Sequence, residues 1–467
     1  MKKIVLLGAW LLSLTATAQT ARKLVVNITS DGAANMTVYL PENPSGRALV
    51  GCPGGGYQHL SMQNEGHDWA SFFNSKGIAY GVLTYRMPNG DRTIPLSDAQ
   101  NAIRTMRDSA DVWHISPNDV GIMGFSAGGH LASATATHAP FEARPNFQIL
   151  FYPVITMNEK DTHKGSVRNF LGKDSQNEKL VKEFSSDRAV RRHRTPPAII
   201  LTANDDRTVP PVNNAIAYYS AMRRQGNVCA LHVYPTGGHG FGMRTTFRYH
   251  DQMLNDLSEW LNTLPSPKAD AIRVACIGNS ITDGHGIDVA ETFGYPAQLQ
   301  ALLGEKYLVK NFGVSGRTML QHGNYPYMVE PMWTDAKAFL PQIAIIKLGT
   351  NDSKPANWDP YKSEYERDLM QMINELRALP SKPRIYLCTP LQVDHKTRAD
   401  DPMLIRNNVI EEEIIPLLRK VAKREKLTII DLHPLINPNG PEMQKDGIHP
   451  NDKGARKMAE AVAAALK

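Results

Sequence analysis

The chain has 467 residues, which is more than one ordinary domain core accommodates, so we expect two or three domains. Its composition is that of a globular protein, with 42% hydrophobic and 21% charged residues and a formal net charge of +6. The basic residues are scattered apart from RAVRRHR at 188–194, which is too short for a nucleic-acid-binding face. We therefore expect no nucleic-acid partner and interpret this cluster as solvent-exposed surface.

The first residues of the chain predict export. MKK precedes the apolar run IVLLGAWLLSL and the small residues Ala16 and Ala18, which is the pattern of a cleavable signal peptide over 1–18. About 11 apolar residues are too few to cross the hydrocarbon core as a helix. No cysteine stands at the cleavage site, which argues against a lipoprotein. We expect a periplasmic or secreted mature protein without a membrane span.

The cysteines predict neither a metal site nor a disulfide framework. Cys52, Cys229, Cys276 and Cys388 lie in or beside apolar, strand-like runs and lack the spacing of metal ligands. Elsewhere we find no metal, nucleotide or flavin motif, so we expect no cofactor.

A proline-containing stretch divides the chain. LNTLPSPKAD at 261–270 ends a helix-like run and precedes a new strand, so we place a linker at 265–269 between domains at 22–264 and 270–467. We expect each domain to fold alone. Both alternate apolar strands with helical patterns, which predicts parallel sheets with ligands bound beyond the carboxyl ends of the strands. The predicted strands are RALVGCP, GIAYGVLTY, DVGIMGF, FQILFYP, PAIILTA and ALHVYP, then IRVACIG, YLVKNFG, IAIIKLG, RIYLCTP and LTIIDLH.

The first half contains the parts of an acyl-transfer site. GFSAGG at 124–129 follows a strand and precedes a helix, which predicts that Ser126 is a nucleophile on a sharp turn. His239 lies between glycines after the last strand, where a general base is expected. The glycines of CPGGGY offer backbone N–H groups, so we expect Gly55, Gly56 and Ala127 to form an oxyanion hole.

These motifs belong to a recognisable set. CPGGGY, EGHDWA, LTYRMP, DAQNAIR, GFSAGGHLA, NDDRTVP and GGHGFG together resemble the acetyl-esterase branch of the α/β-hydrolases over 50–262. The resemblance implies removal of acetyl, and sometimes feruloyl, groups from plant polysaccharides. NDDRTVP offers two acids, and in similar turns the first faces the histidine, so we expect Asp205 rather than Asp206 to be the acid. Dipeptidyl peptidases share this turn but carry a large β-propeller, which we do not expect here before the first domain at residue 22.

Four motifs of the second half resemble the SGNH (GDSL-like) hydrolases. They are IGNSITDG, NFGVSGRT, IIKLGTND and DGIHPND, at 277–284, 311–318, 345–352 and 446–452. The resemblance implies that Ser280 is the nucleophile, Gly316 and Asn351 the oxyanion donors, His449 the base and Asp446 its partner. One departure is the asparagine of Gly278-Asn279-Ser280 in place of the usual aspartate, which bears on loop hydrogen bonding; this variant looks most like the sialate O-acetylesterase-type members.

The two resemblances together predict the architecture and a function. We expect an α/β-hydrolase fold joined to a flavodoxin-like, three-layer α/β/α SGNH domain. The expected activity is that of an exported serine esterase that removes O-acetyl groups from an acetylxylan-like polysaccharide or oligosaccharide at two independent sites. Four alternatives remain: a feruloyl esterase or a dipeptidyl-peptidase-like first domain, a lipid or thioester hydrolase, and one domain that only binds glycan. The sequence does not indicate the oligomeric state.

Overall fold

The structure is a computed structural model that describes residues 22–466. The expected signal peptide at 1–18 lies outside these residues. The chain forms two sheets, the first from strands within 22–234 and the second from strands within 272–430. No helix within 22–466 combines the length and the apolar character needed to cross a bilayer.

The first sheet has eight strands in the order β1-β2-β4-β3-β5-β6-β7-β8. Strands β3 to β8 are parallel, as predicted, whereas β1 and β2, which the sequence analysis did not find, add an antiparallel edge. All six predicted strands form. The strands are β1 (Arg22–Asn27), β2 (Asn35–Leu40), β3 (Ala48–Cys52), β4 (Ala79–Thr84), β5 (Val120–Phe125), β6 (Gln148–Phe151), β7 (Ala198–Ala203) and β8 (Cys229–Tyr234).

Helices cover both faces of this sheet because successive strand residues are apolar and point to opposite sides. Ile122 and Ile200 belong to the core on one face, whereas their neighbours Met123 and Ile199 belong to the core on the other. The helices are α1 (Ala70–Asn74), α2 (Thr93–Asp108), α3 (Ala110–Trp113), α4 (Ala127–His138), α5 (Lys164–Leu171), α6 (Glu178–Phe184), α7 (Ser186–Ala189), α8 (Ala217–Arg224) and α9 (His250–Thr263), with 3-10 turns at His67–Trp69, Phe141–Ala143 and Gly172–Asp174 and a π turn at Val212–Ile216. We call residues 153–197, between β6 and β7, the cap segment.

The second sheet has five parallel strands in the order β10-β9-β11-β12-β13. This is the flavodoxin-like order, which reverses direction beside the first strand and binds ligands there. The order confirms the fold expected for this half, and all five predicted strands form. They are β9 (Ile272–Gly278), β10 (Tyr307–Gly313), β11 (Ile343–Lys347), β12 (Arg384–Cys388) and β13 (Thr428–Ile430).

Two helical layers complete the second domain. Leu299 of one helix and Met458 of the last share a core on one face of the sheet, whereas Leu369 and Leu418 lie in the core on the other. The helices are α10 (Ser280–Asp283), α11 (Ala290–Phe293), α12 (Tyr295–Leu303), α13 (Pro331–Ala338), α14 (Pro355–Tyr361), α15 (Tyr365–Arg377), α16 (Asn407–Val409), α17 (Ile415–Glu425) and α18 (Asp452–Leu466), with 3-10 turns at Gly304–Lys306, Tyr327–Val329, Asn351–Ser353, Lys362–Glu364 and His433–Leu435 and a π turn at Ile410–Ile414.

The two domains meet in an interface that combines buried ion pairs with aromatic rings in edge-to-face contact. Asp335 of α13 is buried and receives Arg144 Nη1 at 2.9 Å and Arg194 Nε at 2.8 Å, both from the first domain. Phe141 packs against Phe339 with 5.9 Å between ring centroids. Because removing one partner of a buried ion pair leaves an uncompensated charge, this interface fixes how the domains dock.

The basic cluster at 188–194 lies partly in this interface, so its interpretation as solvent-exposed surface is wrong for three residues. Arg192 and His193 contact Asp283 of the second domain, and Arg194 contacts Asp335. The His193 side chain is only 7% exposed. A sequence cannot show that a basic loop faces another domain of the same chain, because its acidic partners lie far away along the chain.

Candidate active sites

The first serine lies on a strained turn between β5 and α4. Ser126 has φ 54°, a left-handed backbone conformation that a non-glycine residue rarely adopts. Two glycines permit this turn: a Cβ on Gly124 would lie 2.0 Å from the Gly128 carbonyl oxygen, and one on Gly128 would lie 2.1 Å from that of Cys52. The strand and the helix can therefore approach closely enough to present the serine hydroxyl above the sheet edge.

A histidine and an aspartate complete a hydrogen-bonded chain from this serine. The Nε2 atom of His239 lies 2.8 Å from Ser126 Oγ, and its Nδ1 atom lies 2.7 Å from Oδ2 of Asp206. In this arrangement the imidazole can accept the serine proton while the carboxylate fixes the tautomer and stabilises the imidazolium.

The structure corrects the assignment of Asp205 as the acid. The side chain of Asp206 is completely buried, and its Oδ1 accepts the N–H groups of Thr208 and Val209, both at 2.9 Å. Asp205 is exposed, and its Oδ1 accepts the N–H of Gly238 at 2.8 Å. The first aspartate therefore shapes the loop that carries the histidine, and the second faces the imidazole.

The glycine-rich loop lies directly against Ser126. A Cβ on Gly54 would lie 3.1 Å from the Cβ of Ser126. The Gly54 N–H is occupied, since it donates to Glu65 Oε2 at 3.0 Å. The candidate oxyanion donors from this loop are therefore the following two glycines, Gly55 and Gly56, beside the N–H of Ala127, with which α4 begins.

The sequence analysis missed a buried pair that supports this site. Glu65 accepts Gly54 N–H through one oxygen and the hydroxyl of Tyr152, at 2.7 Å, through the other. The Tyr152 ring packs edge-on against His239 with centroids 4.9 Å apart, and its hydroxyl accepts Gly242 N–H at 3.1 Å. Burial raises the pKa of Glu65, and these hydrogen bonds oppose that rise. Glu65 and Tyr152 thus link the glycine-rich loop to the loop that carries His239. In the sequence, the motif EGHDWA contains Glu65 but did not indicate this role.

The cap segment also contacts the glycine loop. Asn169 Nδ2 donates to the carbonyl of Gly56 at 2.9 Å, and a Cβ on Gly56 would lie 3.1 Å from His163 Cε1. Burial lowers the pKa of His163. A ligand beside this loop would therefore meet the start of the cap segment, a role that the sequence did not indicate.

The second serine begins α10 and has an equivalent hydrogen-bonded chain. His449 Nε2 lies 2.8 Å from Ser280 Oγ, and its Nδ1 lies 2.5 Å from Asp446 Oδ2. The other oxygen of Asp446 accepts the N–H groups of Ile448 and His449 at 2.9 and 3.0 Å. One turn of chain therefore orients both His449 and Asp446, as expected from the Asp-x-x-His spacing. Burial lowers the pKa of His449 although Asp446 opposes this, so the imidazole favours its neutral, proton-accepting form.

The expected oxyanion donors lie after strands β10 and β11, which flank β9 in the sheet. Gly316 has φ 82°, and nothing lies within 4 Å of a Cβ built on it, so this part of the loop is open. Asn351 is buried, and its Nδ2 donates to the Arg317 carbonyl at 3.1 Å, which holds the amide beside the same loop. An amide nitrogen carries two hydrogens, so a second N–H is available to a ligand.

The Gly-Asn-Ser variant has a visible structural consequence. Asn279 Oδ1 accepts the N–H of Ile281 at 3.2 Å and so caps α10, the helix that Ser280 begins. Its Nδ2 is buried and lacks a hydrogen-bond partner among the residues that the structure describes. The asparagine thus retains the loop hydrogen bond expected of an aspartate at the cost of one unsatisfied donor.

One further residue of IGNSITDG, missed at the sequence level, lies beside this site. Asp283 ends α10 and is buried. Burial would raise its pKa, but His193, Arg192 and Ser315 hold it at about 2, so the carboxylate stays charged. The partners explain why the sequence did not reveal it, since two of them come from the other domain.

Comparisons with known proteins identify both halves and the whole chain. A profile of the alpha/beta hydrolase fold matches residues 54–243, and one of the GDSL-like Lipase/Acylhydrolase family matches residues 276–457. An acetylxylan esterase of Xylanibacter ruminicola is 55% identical over 484 aligned positions, which cover 100% of both chains. The chain belongs to the family of this esterase. It is a serine carboxylic ester hydrolase with an N-terminal α/β-hydrolase domain and a C-terminal GDSL-like domain, as the sequence motifs predict.

Two further similarities each cover less than half of the chain. Endo-1,4-beta-xylanase B of Butyrivibrio fibrisolvens is 34% identical over 225 residues, which are 44% of this chain and 34% of that protein. The crystal structure of an acetyl ester-xyloside bifunctional hydrolase from Caldicellulosiruptor lactoaceticus is 32% identical, with a TM-score of 0.46 over 49% of this chain and 88% of that one.

Proposed function

We propose that this protein is an exported carbohydrate esterase that removes O-acetyl groups from acetylated xylan or a similar plant polysaccharide at two active sites. The observation that carries the proposal is that each domain has its own Ser–His–Asp chain, with both hydrogen bonds at 2.5 to 2.8 Å. The full-length similarity to an acetylxylan esterase supports the substrate class. The signal-peptide pattern that the sequence predicts over 1–18 supports export.

At the first site, Ser126 Oγ attacks the acetyl carbonyl carbon as its proton passes to Nε2 of His239. The carbonyl oxygen becomes an oxyanion that the N–H groups of Gly55, Gly56 and Ala127 stabilise. The carbon–oxygen bond to the sugar then breaks, and the imidazolium protonates the leaving sugar oxygen. A water molecule attacks the acetyl-enzyme by the same route and releases acetate, with Asp206 stabilising the imidazolium in both steps.

At the second site, Ser280, His449 and Asp446 perform the same steps. The N–H of Gly316 and one N–H of Asn351 stabilise the oxyanion. The two oxyanion holes differ in construction, since the first is built from backbone donors and the second from one backbone and one side-chain donor. Because their surroundings differ as well, we propose that the sites accept acetyl groups at different positions on the polymer.

Joining two such sites in one chain has a physical advantage on a polymeric substrate. Once one domain holds the polymer, the other meets nearby acetyl groups at a high effective concentration, provided that both can engage the same chain. After one domain has removed an acetyl group, the other can therefore act on a nearby acetyl group before the enzyme leaves the polymer.

Acetate release by single-serine variants tests this proposal. We expect Ser126→Ala and Ser280→Ala each to retain part of the activity on acetylated xylan, with different positions left acetylated, and the double variant to be inactive. Parallel assays on acetylated mannan, pectin and sialic acid identify the preferred substrate. Full activity in either single variant on every substrate would show that the replaced serine is not a nucleophile. Export is tested separately by N-terminal sequencing of the protein from the culture medium and the periplasm, where we expect a mature chain that begins after Ala18.

A further inference from the structure

The end of the cap segment reaches from the first domain to the second active site. We propose that Arg192 and His193 of the first domain are positioning residues for the Ser280 site, which they hold in shape through Asp283. The proposal rests on the proposed role of Ser280 as a nucleophile. It makes the second site dependent on the first domain, which a pair of independent esterases would not require.

Two residues of the first domain hold both the carboxylate and the backbone of Asp283. Arg192 Nε lies 2.6 Å from Asp283 Oδ1, and its Nη2 lies 3.0 Å from the Asp283 carbonyl oxygen. His193 Nε2 lies 2.8 Å from the same Oδ1 and 3.1 Å from the same carbonyl oxygen. Four contacts therefore converge on one residue from outside its own domain, and they fix its side chain and its main chain together.

Asp283 in turn is joined to the nucleophile turn. It is the last residue of α10, a helix of four residues whose first is Ser280, and its N–H donates to the carbonyl of Asn279 at 2.9 Å. The backbone N–H of His285 also closes this turn on the Ser280 carbonyl at 2.9 Å. Because the turn is so short, displacement of Asp283 moves the backbone that carries Ser280.

Asp283 is also joined to the loop that carries an oxyanion donor. Its Oδ2 accepts a hydrogen bond from the hydroxyl of Ser315, the residue immediately before Gly316. Behind this contact, a Cβ on Gly313 would lie only 2.2 Å from the Asp283 nitrogen, so strand and turn lie in direct contact. The Asp283 carboxylate therefore connects the turn that carries Ser280 to the loop that carries Gly316. Arg192 and His193 of the other domain hold this carboxylate in place.

The partner side of the contact is preorganised. His193 adopts φ 57°, a left-handed conformation in which histidine is enriched among non-glycine residues. Asn227, which is buried, fixes this conformation, since its Oδ1 accepts the His193 N–H at 3.2 Å and its Nδ2 donates to the Arg191 carbonyl at 3.0 Å. Such support is expected where a strained residue has to present its side chain in one direction.

Arg194 supplies a matched control, because it distinguishes positioning from docking. It lies two residues from Arg192, its side chain is similarly exposed (30% against 29%), and its Nε also bonds an aspartate of the second domain, at 2.8 Å. That aspartate, Asp335, lies on α13 and has no hydrogen bond to the turn of Ser280 or to the oxyanion loop. Loss of Arg194 should therefore weaken docking without disturbing the Ser280 site.

The experiment uses the full chain in a Ser126→Ala background, so that only the second site is measured. We expect Arg192→Ala and His193→Ala to lower kcat for acetate release from 4-nitrophenyl acetate on the order of 10- to 100-fold, since small displacements of reacting groups have effects of this size. In these two variants, KM and the melting temperature should change about as little as they do in Arg194→Ala. The Arg194→Ala control should keep the kcat of the parent. Arg192→Lys and His193→Gln keep one donor each, and we expect each of them to restore part of the loss.

Two outcomes separate failure of this inference from failure of the proposed function. If Ser280→Ala abolishes the remaining activity but Arg192→Ala, His193→Ala and the two conservative variants match Arg194→Ala in kcat, the positioning role is overturned. If Ser280→Ala in the same background leaves activity unchanged, the proposed nucleophile is wrong. If Arg192→Ala does not fold, Arg192→Lys and His193→Gln decide the question. An unchanged kcat in both of these conservative variants also overturns the inference.

Discussion

The choice between the two adjacent aspartates of NDDRTVP is open to a direct test. We expect Asp206→Asn to remove nearly all turnover at the first site and Asp205→Asn to leave most of it. The reason lies in what the replacement amide can do in each environment. Oδ1 of Asp206 accepts the N–H groups of Thr208 and Val209, so an asparagine there keeps that oxygen and places Nδ2 where Oδ2 was, 2.7 Å from His239 Nδ1.

The expected magnitude follows from this geometry. An amide N–H that faces Nδ1 forces that nitrogen to accept, so the proton moves to Nε2 and the imidazole can no longer accept a proton from Ser126. Loss of the correct tautomer in a triad costs about 10⁴ in kcat, which corresponds to about 5 kcal/mol of activation free energy. Asp205 is exposed, and an asparagine can still accept the N–H of Gly238, so we expect its replacement to change turnover less than about threefold.

The assay measures first-site turnover in a Ser280→Ala background. Steady-state acetate release from acetylated xylo-oligosaccharide gives kcat for each variant, and a thermal melt shows whether the loop remains folded. We expect both variants to melt close to the parent, since each retains its backbone hydrogen bonds. A larger loss of kcat in Asp205→Asn than in Asp206→Asn would refute the reasoning, and so would near-parent turnover in Asp206→Asn.

Three further predictions address the two sites. Asn351→Ala, measured in a Ser126→Ala background, should lower kcat by about 10²–10³ with little change in KM, because an oxyanion donor acts in the transition state; a lowered melting temperature with normal kcat would instead indicate a structural role. Burial lowers the pKa of His449, so the acidic limb of kcat/KM in that background should lie below pH 6.5, and a limb at pH 7 or above would contradict this. Glu65→Gln places an amide N–H against the Gly54 N–H or the Tyr152 hydroxyl, both of which donate to Glu65. We expect it to lower the free energy of unfolding by about 1–3 kcal/mol and to slow turnover at the first site, whereas the exposed control Glu42→Gln should change neither.

The sequence predicts the sheets well because most of the parallel strands are buried on both sides, although β8, β10 and β13 are only partly buried. A strand covered by helices on both faces is a continuous apolar run, and every predicted run formed a strand; the strands lie within the predicted bounds except β8, which begins one residue earlier, at Cys229. The two missed strands, β1 and β2, lie at the antiparallel edge of the first sheet. They have six residues each, and β1 is largely exposed, so neither forms a continuous apolar run in the sequence. The turns at Ser126 and Ser280 were visible in the sequence because such turns require particular residues, such as the close-packed glycines around Ser126.

The choice of Asp205 failed because the relevant information is not local. Both aspartates follow the end of β7, beyond the alternation that assigns strand residues to one face or the other. Which one faces His239 depends on the Thr208 and Val209 N–H groups that turn the loop inward, and on burial by the rest of the domain. A similar limit applies to Glu65 and Tyr152, whose hydrogen bond joins residues that are 87 positions apart.

The domain interface bears on whether the two domains can be separated. The linker does not extend freely, because Arg47 of the first domain donates to the carbonyls of Leu261 and Pro265 at 2.7 and 2.9 Å. Separation at 265–269 would leave the buried Asp335 without both of its arginines and Asp283 without Arg192 and His193. Separation would therefore remove the hydrogen bonds that orient both carboxylates and expose to water the face that the first domain covers.

The same interface therefore changes what we expect of the isolated second domain. The sequence predicts that each half folds alone, and the apolar cores on both faces of the second sheet are consistent with that. The contacts at Asp283 and Asp335 act in addition to these cores, so a separated 270–467 should fold with a lower melting temperature and a Ser280 site that turns over slowly. If mixing with 22–264 restores turnover, docking rather than covalent connection is what the second site requires. Equal kcat for the isolated domain and the full chain would show instead that the second site is complete on its own.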